Sequence, residues 1–583
     1  MAEESDTRLS TSTEHLIDLA AQSTKDVHNK SKTCESLDYD LFESQVRLRY
    51  QASHVDSRWT EPTRWLLTTL VATTTALLAV LITWSTRSLL QFKYSTVQLF
   101  LSPSPTTASP FLAWLTLLTF NASFVAVAAI VVVYFSPISG GSGIPEIKCL
   151  LNGIKIPKVV RVRTLLGKLI GVVFSVSGGL PVGKEGPMIH CGAVVGAGLS
   201  QGKSTTCGFD TGFSKLSMFR NDREKSDFIT CGAAAGVAAA FGTPIGGVLF
   251  CLEEGTSWWN PNLTWRTFFA AMCATLMVDL FLSQVNQSVD FGYFSQPGML
   301  SFGSFIESDL IAPYNVVELI PFSLIGMGGG LLGALFNACN TKITVLRLAL
   351  NSNGRKKWVR VFMCVLVSMV ISSVNILTPL YGNMDCVNLD VCRNTTSIGN
   401  ATIIASFGGF TGRGLFDWDA STLQFNCPPG HFSPLATMSF GSSEVAIKYL
   451  FHSSNIDHCG PTTYSMLWFG VCYTILACVV YGLPVPSGLF VPGILSGAIY
   501  GRLSGTLFIE IMPLLFPSHL HRHAALGTYA LVGSAAMLGG ISRLCIALTV
   551  ILVECTGDIQ LTVPLMIAVL SARWSANMFN EGL

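Results

Sequence analysis

The sequence predicts an all-α membrane protein made of many tilted, partly broken helices, and three observations carry this prediction. Half of the 583 residues are hydrophobic. Only 12% are charged, about half the charged fraction of an average soluble domain. Long apolar runs recur along the chain, and Gly and Pro interrupt several of them. This composition argues against a disordered chain, a nucleic-acid-binding protein and a typical soluble enzyme, and the net charge of +1 favours no charged polymer as a partner.

The apolar runs set the predicted domain organisation. The uncharged run Trp65–Trp84 is long enough to cross a hydrocarbon core of ~30 Å as a helix. Residues 1–64 are polar and lack a signal-peptide core, so we expect a cytoplasmic N-terminal region followed by one transmembrane domain, residues 65–583. Short or broken runs predict helices that are buried against other protein. The later runs are Pro110–Phe135, Leu165–Leu180, Phe228–Leu252, Thr267–Leu282, Val316–Cys339, Val359–Leu380, Tyr464–Leu483, Gly488–Tyr500, Ala525–Val553 and Leu561–Val569.

Basic residues predict which connections face the cytoplasm. Four clusters of Lys and Arg lie between or before apolar runs, and the positive-inside rule places them, with the N-terminus, in the cytoplasm. The clusters are Arg47, Arg49, Arg58 and Arg64; Lys155, Lys158, Arg161 and Arg163; Lys215, Arg220, Arg223 and Lys225; and Arg355, Lys356, Lys357 and Arg360.

One long stretch has the opposite character. Residues 381–447 contain no Lys, and two glycosylation acceptors lie within them at Asn394 and Asn400. We therefore expect a luminal loop near 381–447. The same stretch carries Cys386, Cys392 and Cys427, whose pairing the sequence leaves open.

Matching segments indicate an internal duplication. Gly232 opens an apolar stretch that ends at Glu253, and Gly533 opens a similar stretch that ends at Glu554, so that both pairs are 301 residues apart. Small residues recur in any helical membrane protein, but the turns at Gly183 and Gly488 have nearly the same offset, 305 residues. We expect two inverted halves, roughly 65–310 and 311–583, as in many transporters.

Three turns combine Gly and Pro in apolar surroundings: residues 141–145 (turn 1), 183–187 (turn 2) and 488–492 (turn 3). Glycine lets the backbone approach a ligand closely, and proline suits the first turn of a helix. Each turn therefore predicts a helix N-terminus, whose unpaired N–H groups and partial positive charge favour an anion. Any one turn alone is better explained as a helix kink or a close packing point, whereas three together predict an anion site.

Carboxylates in the apolar regions are the other candidates for function. Glu185 lies in turn 2, where its charged form could occupy an anion site and its neutral form could leave it, although a helix N-cap is the alternative. Glu253 and Glu254 end an apolar run near the basic clusters, so that one of them could receive protons, and the alternative is two solvated residues at a helix end. Glu554 and Asp558 are expected to be structural. No metal-binding spacing or nucleophile motif is present, and neither a cofactor nor an enzyme activity is expected.

The three turns, in this order and spacing, resemble the signature motifs of the CLC chloride channels and transporters. The resemblance implies a homodimer in which each subunit has a pore formed by two inverted halves. It also implies that Glu185 is the gating glutamate and that Glu254 is the inner proton glutamate that distinguishes exchangers from channels. The implied chloride-binding residues are Ser142, Gly143, Lys184, Gly186, Leu489 and Phe490.

The resemblance further implies a chloride/proton antiporter of a late-endosomal or lysosomal membrane. A passive gated chloride channel is the alternative, and a transport-dead truncated subunit is a third possibility. The family's pore tyrosine and its nucleotide-binding CBS domains would follow Leu583 and are expected to be missing from this chain.

Overall fold

The computed structural model describes residues 60–101, 110–154, 156–202, 216, 219–256, 259–286, 314, 316–351, 357–381, 386–389, 392, 425, 427–428, 430–453, 460–515 and 526–582. The chain divides into two units, residues 1–66 and 67–583. Only residues 60–66 of the first unit belong to the described part. The boundary predicted near residue 310 between two halves lies outside it.

Helices form nearly all of the regular structure in this described part. In chain order they are α1 (Thr60–Leu101), α2 (Pro110–Ile130), α3 (Ile144–Leu151), α4 (Val162–Ser177), α5 (Glu185–Gln201), α6 (Asp222–Phe241), α7 (Pro244–Phe250), α8 (Pro261–Asn286), α9 (Leu319–Asn351), α10 (Lys357–Tyr381), α11 (Pro434–Phe440), α12 (Ser443–His452), α13 (Thr463–Val480), α14 (Phe490–Leu515), α15 (Leu526–Ser542), α16 (Ile546–Thr556) and α17 (Thr562–Asn577). A π-helical turn, Val131–Phe135, continues α2, and another, Cys251–Gly255, continues α7.

The helix lengths confirm a membrane fold with long and broken helices. Seven segments of the described chain are long and apolar enough to cross a membrane: Glu61–Phe100, Phe111–Phe135, Pro261–Ser283, Val316–Ala349, Lys357–Pro379, Thr463–Val480 and Ile559–Asn577. Others are too short for a span, such as α3 with 8 residues and α7 with 7. Because their backbone ends cannot face lipid, they have to lie inside the protein.

The predicted duplication is visible in how the helices pack. Helix α5 lies against α6, and α14 lies against α15 in the same way. A Cβ atom added to Gly192 of α5 would lie 2.2 Å from the Gly232 carbonyl oxygen, and one added to Gly497 of α14 would lie 2.6 Å from the Gly533 carbonyl oxygen. These two contacts repeat the sequence offsets of 305 and 301 residues. Backbone-to-backbone packing at corresponding places explains why small residues recur in both copies.

Two carboxylates tie the copies together. Glu253 accepts the backbone N–H groups of Cys545 and Ala547 at 2.8 and 2.7 Å. In return, Glu554 accepts those of Ile245 and Gly246 at 3.2 and 2.8 Å. Each glutamate therefore caps the short helix of the other copy, α16 or α7, and satisfies N–H groups that the helix leaves unpaired. The structural role predicted for Glu554 is confirmed.

Asp558 also has the structural role predicted for it. Its side chain accepts the backbone N–H of Gln560 at 2.9 Å, just before α17 begins. This bond caps the short 3₁₀ turn Ile559–Leu561.

The last part of the segment predicted as a luminal loop, residues 381–447, is helical. Strands β1 (Val387–Asn388) and β2 (His431–Phe432) pair antiparallel, and Cys386 is disulfide-bonded to Cys427 beside them. Cys392 is disulfide-bonded as well. The prediction is wrong for residues 434–447, because they form α11 and the first part of α12 and are largely buried. Pro and Ser in this segment resemble loop residues, but Ser433 and Ser442 cap the two helices.

The reciprocal capping predicts a measurable loss of stability. We expect Glu554→Ala to lower the melting temperature of the detergent-solubilised protein, because a lost N-cap costs about 1 kcal/mol and leaves the Ile245 and Gly246 N–H groups unpaired. Glu510→Ala is the matched control, since Glu510 is exposed. Equal melting temperatures for the two variants would contradict the capping role.

Candidate functional site

The three Gly/Pro turns meet in space and are joined by backbone hydrogen bonds. Gly183 and Gly488 pair with each other through two reciprocal N–H···O bonds of 2.9 Å, which connect turn 2 to turn 3. The Gly141 N–H donates to the Val485 carbonyl at 3.0 Å, and the Ser487 N–H donates to the Gly141 carbonyl at 3.2 Å. Turn 1 is therefore held against the segment that enters turn 3, and the predicted convergence is confirmed.

Each turn leads into a helix, as predicted. Helix α3 begins directly after Gly143, α5 begins at Glu185, and α14 begins at Phe490. Neither α3 nor α5 has a side-chain cap at its N-terminus. Three helix N-termini thus point their first N–H groups and partial positive charges at one region. This arrangement can hold an anion without a full positive charge.

The hydroxyl groups at this junction can contribute donors. Ser142 is 7% exposed, and its Oγ accepts a long hydrogen bond of 3.4 Å from the Ile144 N–H. Its hydroxyl also interacts with the Tyr481 side chain. The buried Ser487 Oγ has no hydrogen-bond partner among the residues that the structure describes. Because a buried hydroxyl without a partner is unusual, a ligand at this junction is a natural acceptor for it.

Glu185 lies at the same junction. It is fully buried, and neither carboxyl oxygen has a hydrogen-bond partner of good geometry in the described chain, although the backbone N–H groups of Lys184 and Glu185 interact with the carboxyl. The side chain folds back towards turn 2, because a Cβ atom added to Gly183 would lie 2.1 Å from Glu185 Oε2 and 3.3 Å from Val491 Cβ. The carboxyl therefore lies beside the contact between turns 2 and 3. A buried carboxylate without well-formed hydrogen bonds is costly, so this group is poised to leave its place or to bind a proton.

The Lys184 side chain has a partner that the sequence did not indicate. Its Nζ atom is 2.7 Å from Oε1 of Glu444, in the first turn of α12. Lys184 is 4% exposed, whereas the Glu444 side chain is 31% exposed. The lysine predicted as an anion ligand is thus engaged in an ion pair beside the junction.

A second buried cation lies behind turn 1. Lys168 Nζ is 3.0 Å from Nδ1 of His190, and both residues are fully buried. His190 Nε2 is 3.2 Å from the Val159 carbonyl, so that Nε2 donates and Nδ1 accepts. A Cβ atom at Gly143 would lie 2.0 Å from His190 Nδ1 and 2.6 Å from Lys168 Nζ. Only glycine therefore fits there.

The second candidate glutamate lies apart from this junction. Glu254 Oε1 is 2.6 Å from Nζ of Lys148, on α3, and both side chains are partly exposed. Its neighbour Glu253 caps α16 instead. The structure therefore gives the two adjacent glutamates different partners, which the residue pattern alone did not distinguish. A small, partly open pocket is lined by Ile144, Ile147, Lys148, Leu151, Ile189, Ala233, Phe250, Cys251, Glu254 and Gly255. It extends from Glu254 along α3.

The remaining predicted residues have clear places. Gly143, Gly186 and Phe490 are buried at the junction, and Leu489 is half-buried. Asn394 and Asn400 lie outside the described residues. The sequence did not indicate six further polar side chains near the junction: Lys168, His190, Glu444, Tyr473, Tyr481 and Ser487. Their signal would have been a polar or ionisable side chain within an apolar run.

Fold and site together define a membrane protein in which three helix N-termini meet at a junction that can hold an anion, with a buried carboxyl group beside it. The family model described as "Voltage gated chloride channel" matches residues 124–577. The chain belongs to this family, which confirms the resemblance of its three turns.

The relatives found are exchangers and channels by name. The human "H(+)/Cl(-) exchange transporter 7" is 38% identical over 554 residues, covering 94% of this chain and 63% of that protein. "Chloride channel protein A" of Dictyostelium discoideum is 33% identical over 577 residues, covering 94% and 62%. The chain thus spans less than two thirds of their length. The stretches Cys34–Asp40, Leu150–Gly153, Arg163–Leu166 and Val485–Gly488 predict chloride transport protein six as the most similar member. The relatives found do not support that prediction and instead support a branch like transporter 7.

Solved structures share the fold. A "slow cyanobacterial Cl-/H+ antiporter" superposes with a TM-score of 0.62 at 19% identity, over 89% of this chain and 95% of the other. A "eukaryotic CLC transporter" superposes with a TM-score of 0.58 at 22% identity, over 89% and 72%. At these identities the likeness shows the fold alone, and it confirms the predicted fold class.

The crowding behind turn 1 gives a prediction. Gly141 and Gly143 both have positive φ angles, +68° and +85°, but a Cβ atom has open space at Gly141 and collides at Gly143. Both alanine variants incur the strain of a left-handed residue, roughly 1–2 kcal/mol. We expect Gly143→Ala to lower the melting temperature well below that of Gly141→Ala, because Lys168 and His190 must also move. Equal melting temperatures would show that His190 does not press on turn 1.

Proposed function

We propose that this protein is a secondary active chloride/proton antiporter. The observation that carries the proposal is the Glu185 carboxyl, which is fully buried where three helix N-termini meet and has no well-formed hydrogen bond to another side chain of the described residues. An anion-binding junction and a protonatable group occupy one place, so that binding of the anion and of the proton cannot be independent. The printed names of the relatives support exchange of these two ions.

Each protonation state of Glu185 has a defined consequence at the junction. The charged carboxylate is attracted by the same N–H groups as chloride and competes with it. The protonated carboxyl is neutral, loses this attraction and makes room for chloride. Alternation between the two states couples chloride movement in one direction to proton movement in the other.

Glu254 is the proposed inner proton acceptor. It is partly exposed, and the basic clusters of the sequence place its end of the fold in the cytoplasm. The pocket along α3 begins at Glu254 and is mainly apolar. A proton taken up there would be passed inward, towards Glu185. This assignment favours an exchanger over a passive chloride channel.

We also propose the cellular setting. Transporter 7 as a relative supports a late-endosomal or lysosomal membrane, and the basic clusters support a cytoplasmic N-terminus. A homodimer, glycosylation at Asn394 and Asn400, and the lack of enzyme activity and of a resident cofactor remain proposals. Endosome fractionation and crosslinking in native membranes test the location and the dimer.

Paired flux measurements test the proposed function. The purified 583-residue chain is placed in liposomes, and chloride and proton movements are recorded together. We expect a chloride gradient to drive protons uphill, and a reversal potential that follows both gradients. Chloride flux without proton movement would instead indicate a passive channel.

Glu185→Ala should separate the two ions. Without the carboxylate nothing competes with chloride at the junction, and no group there carries a proton. We therefore expect chloride flux to persist while chloride-driven proton movement falls to background. Glu510→Ala serves as the control and should keep both fluxes. Proton coupling that survives in Glu185→Ala would remove Glu185 from the mechanism.

Glu254→Ala should abolish proton transport and leave some anion flux, because the anion junction lies elsewhere. Glu253→Gln is the matched control on the adjacent residue. Since Glu253 caps α16, this control should lower the melting temperature while keeping the protons coupled. Normal proton transport in Glu254→Ala would contradict the role of Glu254.

A further inference from the structure

A second carboxylate lies beside the junction and is not part of the mechanism described so far. Glu444 forms a 2.7 Å ion pair with Lys184, the residue directly before Glu185. The two partners come from different copies of the duplication, since Lys184 precedes α5 and Glu444 begins α12. Both charges interact with the Glu185 carboxyl, the lysine favourably and Glu444 unfavourably.

The surroundings of this pair are strongly cationic. Arg87, Lys184 and Lys448 all interact with Glu444. Glu444 is thus shared by three cations, of which Lys184 is the one that also interacts with Glu185. Tyr473 is the other titratable side chain that interacts with Glu185, and it lies near Ser443 with their oxygens 3.5 Å apart.

An unpaired ammonium at position 184 would be a problem for transport. Lys184 is almost fully buried, so its charge would be weakly screened and would attract chloride or the Glu185 carboxylate strongly. Passage requires that the ion also leaves its site. The ion pair cancels this charge and leaves the junction to the weaker partial charges of the helix N-termini.

We propose that Glu444 determines the chloride affinity of the site by neutralising Lys184. This inference rests on the proposed chloride/proton exchange and adds a residue to it. Glu444 acts through Lys184 and is therefore a positioning residue. In this proposal Lys184 is not a direct chloride ligand, because its ammonium group is paired with Glu444.

Opposite changes in affinity are the expected signature. Glu444→Gln removes a negative charge and frees the ammonium, so chloride should bind about three- to fivefold more tightly, with slower turnover. Lys184→Met removes the positive charge and should weaken chloride binding by a similar factor. The double variant Lys184→Met/Glu444→Gln keeps the net charge of the pair and should bind chloride nearly as the unmodified chain does. Glu444→Asp keeps the negative charge at this position and should bind chloride with nearly the affinity of the unmodified chain.

The measurement is calorimetric titration of the purified full chain with chloride, alongside flux in liposomes and melting temperatures. Glu510→Gln, an exposed carboxylate on α14, is the control and should change nothing. If the ion pair were purely structural, both single variants would lose stability. Their chloride affinities would then not change in opposite directions. That result, or an unchanged affinity in Glu444→Gln, would overturn the inference. The proposed function fails separately, if the unmodified chain shows no coupled flux.

Discussion

The reciprocal backbone pairing of Gly183 with Gly488 is the contact on which the site depends. A helix end within a membrane protein leaves N–H groups that cannot be left without partners. The two turns satisfy part of this requirement with each other, and the segment before turn 3 does the same for turn 1. What remains are the N–H groups of three first turns, directed at one place. An anion or the Glu185 carboxylate can satisfy them, and the function follows from that choice.

The same requirement explains how the two copies hold together. The short helices α7 and α16 also begin inside the protein, and their N-termini take a glutamate from the other copy. Here a permanent carboxylate fills the place that a mobile ion fills at the turns. Glu253 and Glu554 are each fixed by two hydrogen bonds of good geometry. Within the described residues, Glu185 has only weaker interactions with the N–H groups of its own turn.

The sequence predicts the parts of the site that are local in the chain. Gly, Pro and apolar runs identify the three turns, Glu185 and the duplication, because each depends on neighbouring residues. The partners of Lys184 and Gly143 could not be predicted, since Glu444 and His190 reach the junction through tertiary packing. The prediction of a loop was wrong at α11 and α12 because these helices are short, 7 and 10 residues. Their Ser caps and the Pro at the start of α11 are residues that also occur often in loops. Glu253 contacts the N-terminus of α16, whereas Glu254 contacts Lys148. The periodicity of the sequence does not distinguish these two neighbouring positions.

Full charges and partial charges have different roles in this molecule. The ammonium groups of Lys148 and Lys184 are each neutralised by a glutamate at 2.6–2.7 Å. The anion junction itself is formed by backbone N–H groups and hydroxyls, whose attraction is strong enough to bind and weak enough to release. A single uncompensated ammonium would shift this balance more than a change in any one N–H group, because it adds a whole charge in a poorly screened region. Neutralising the lysines is therefore as much a condition for transport as forming the junction.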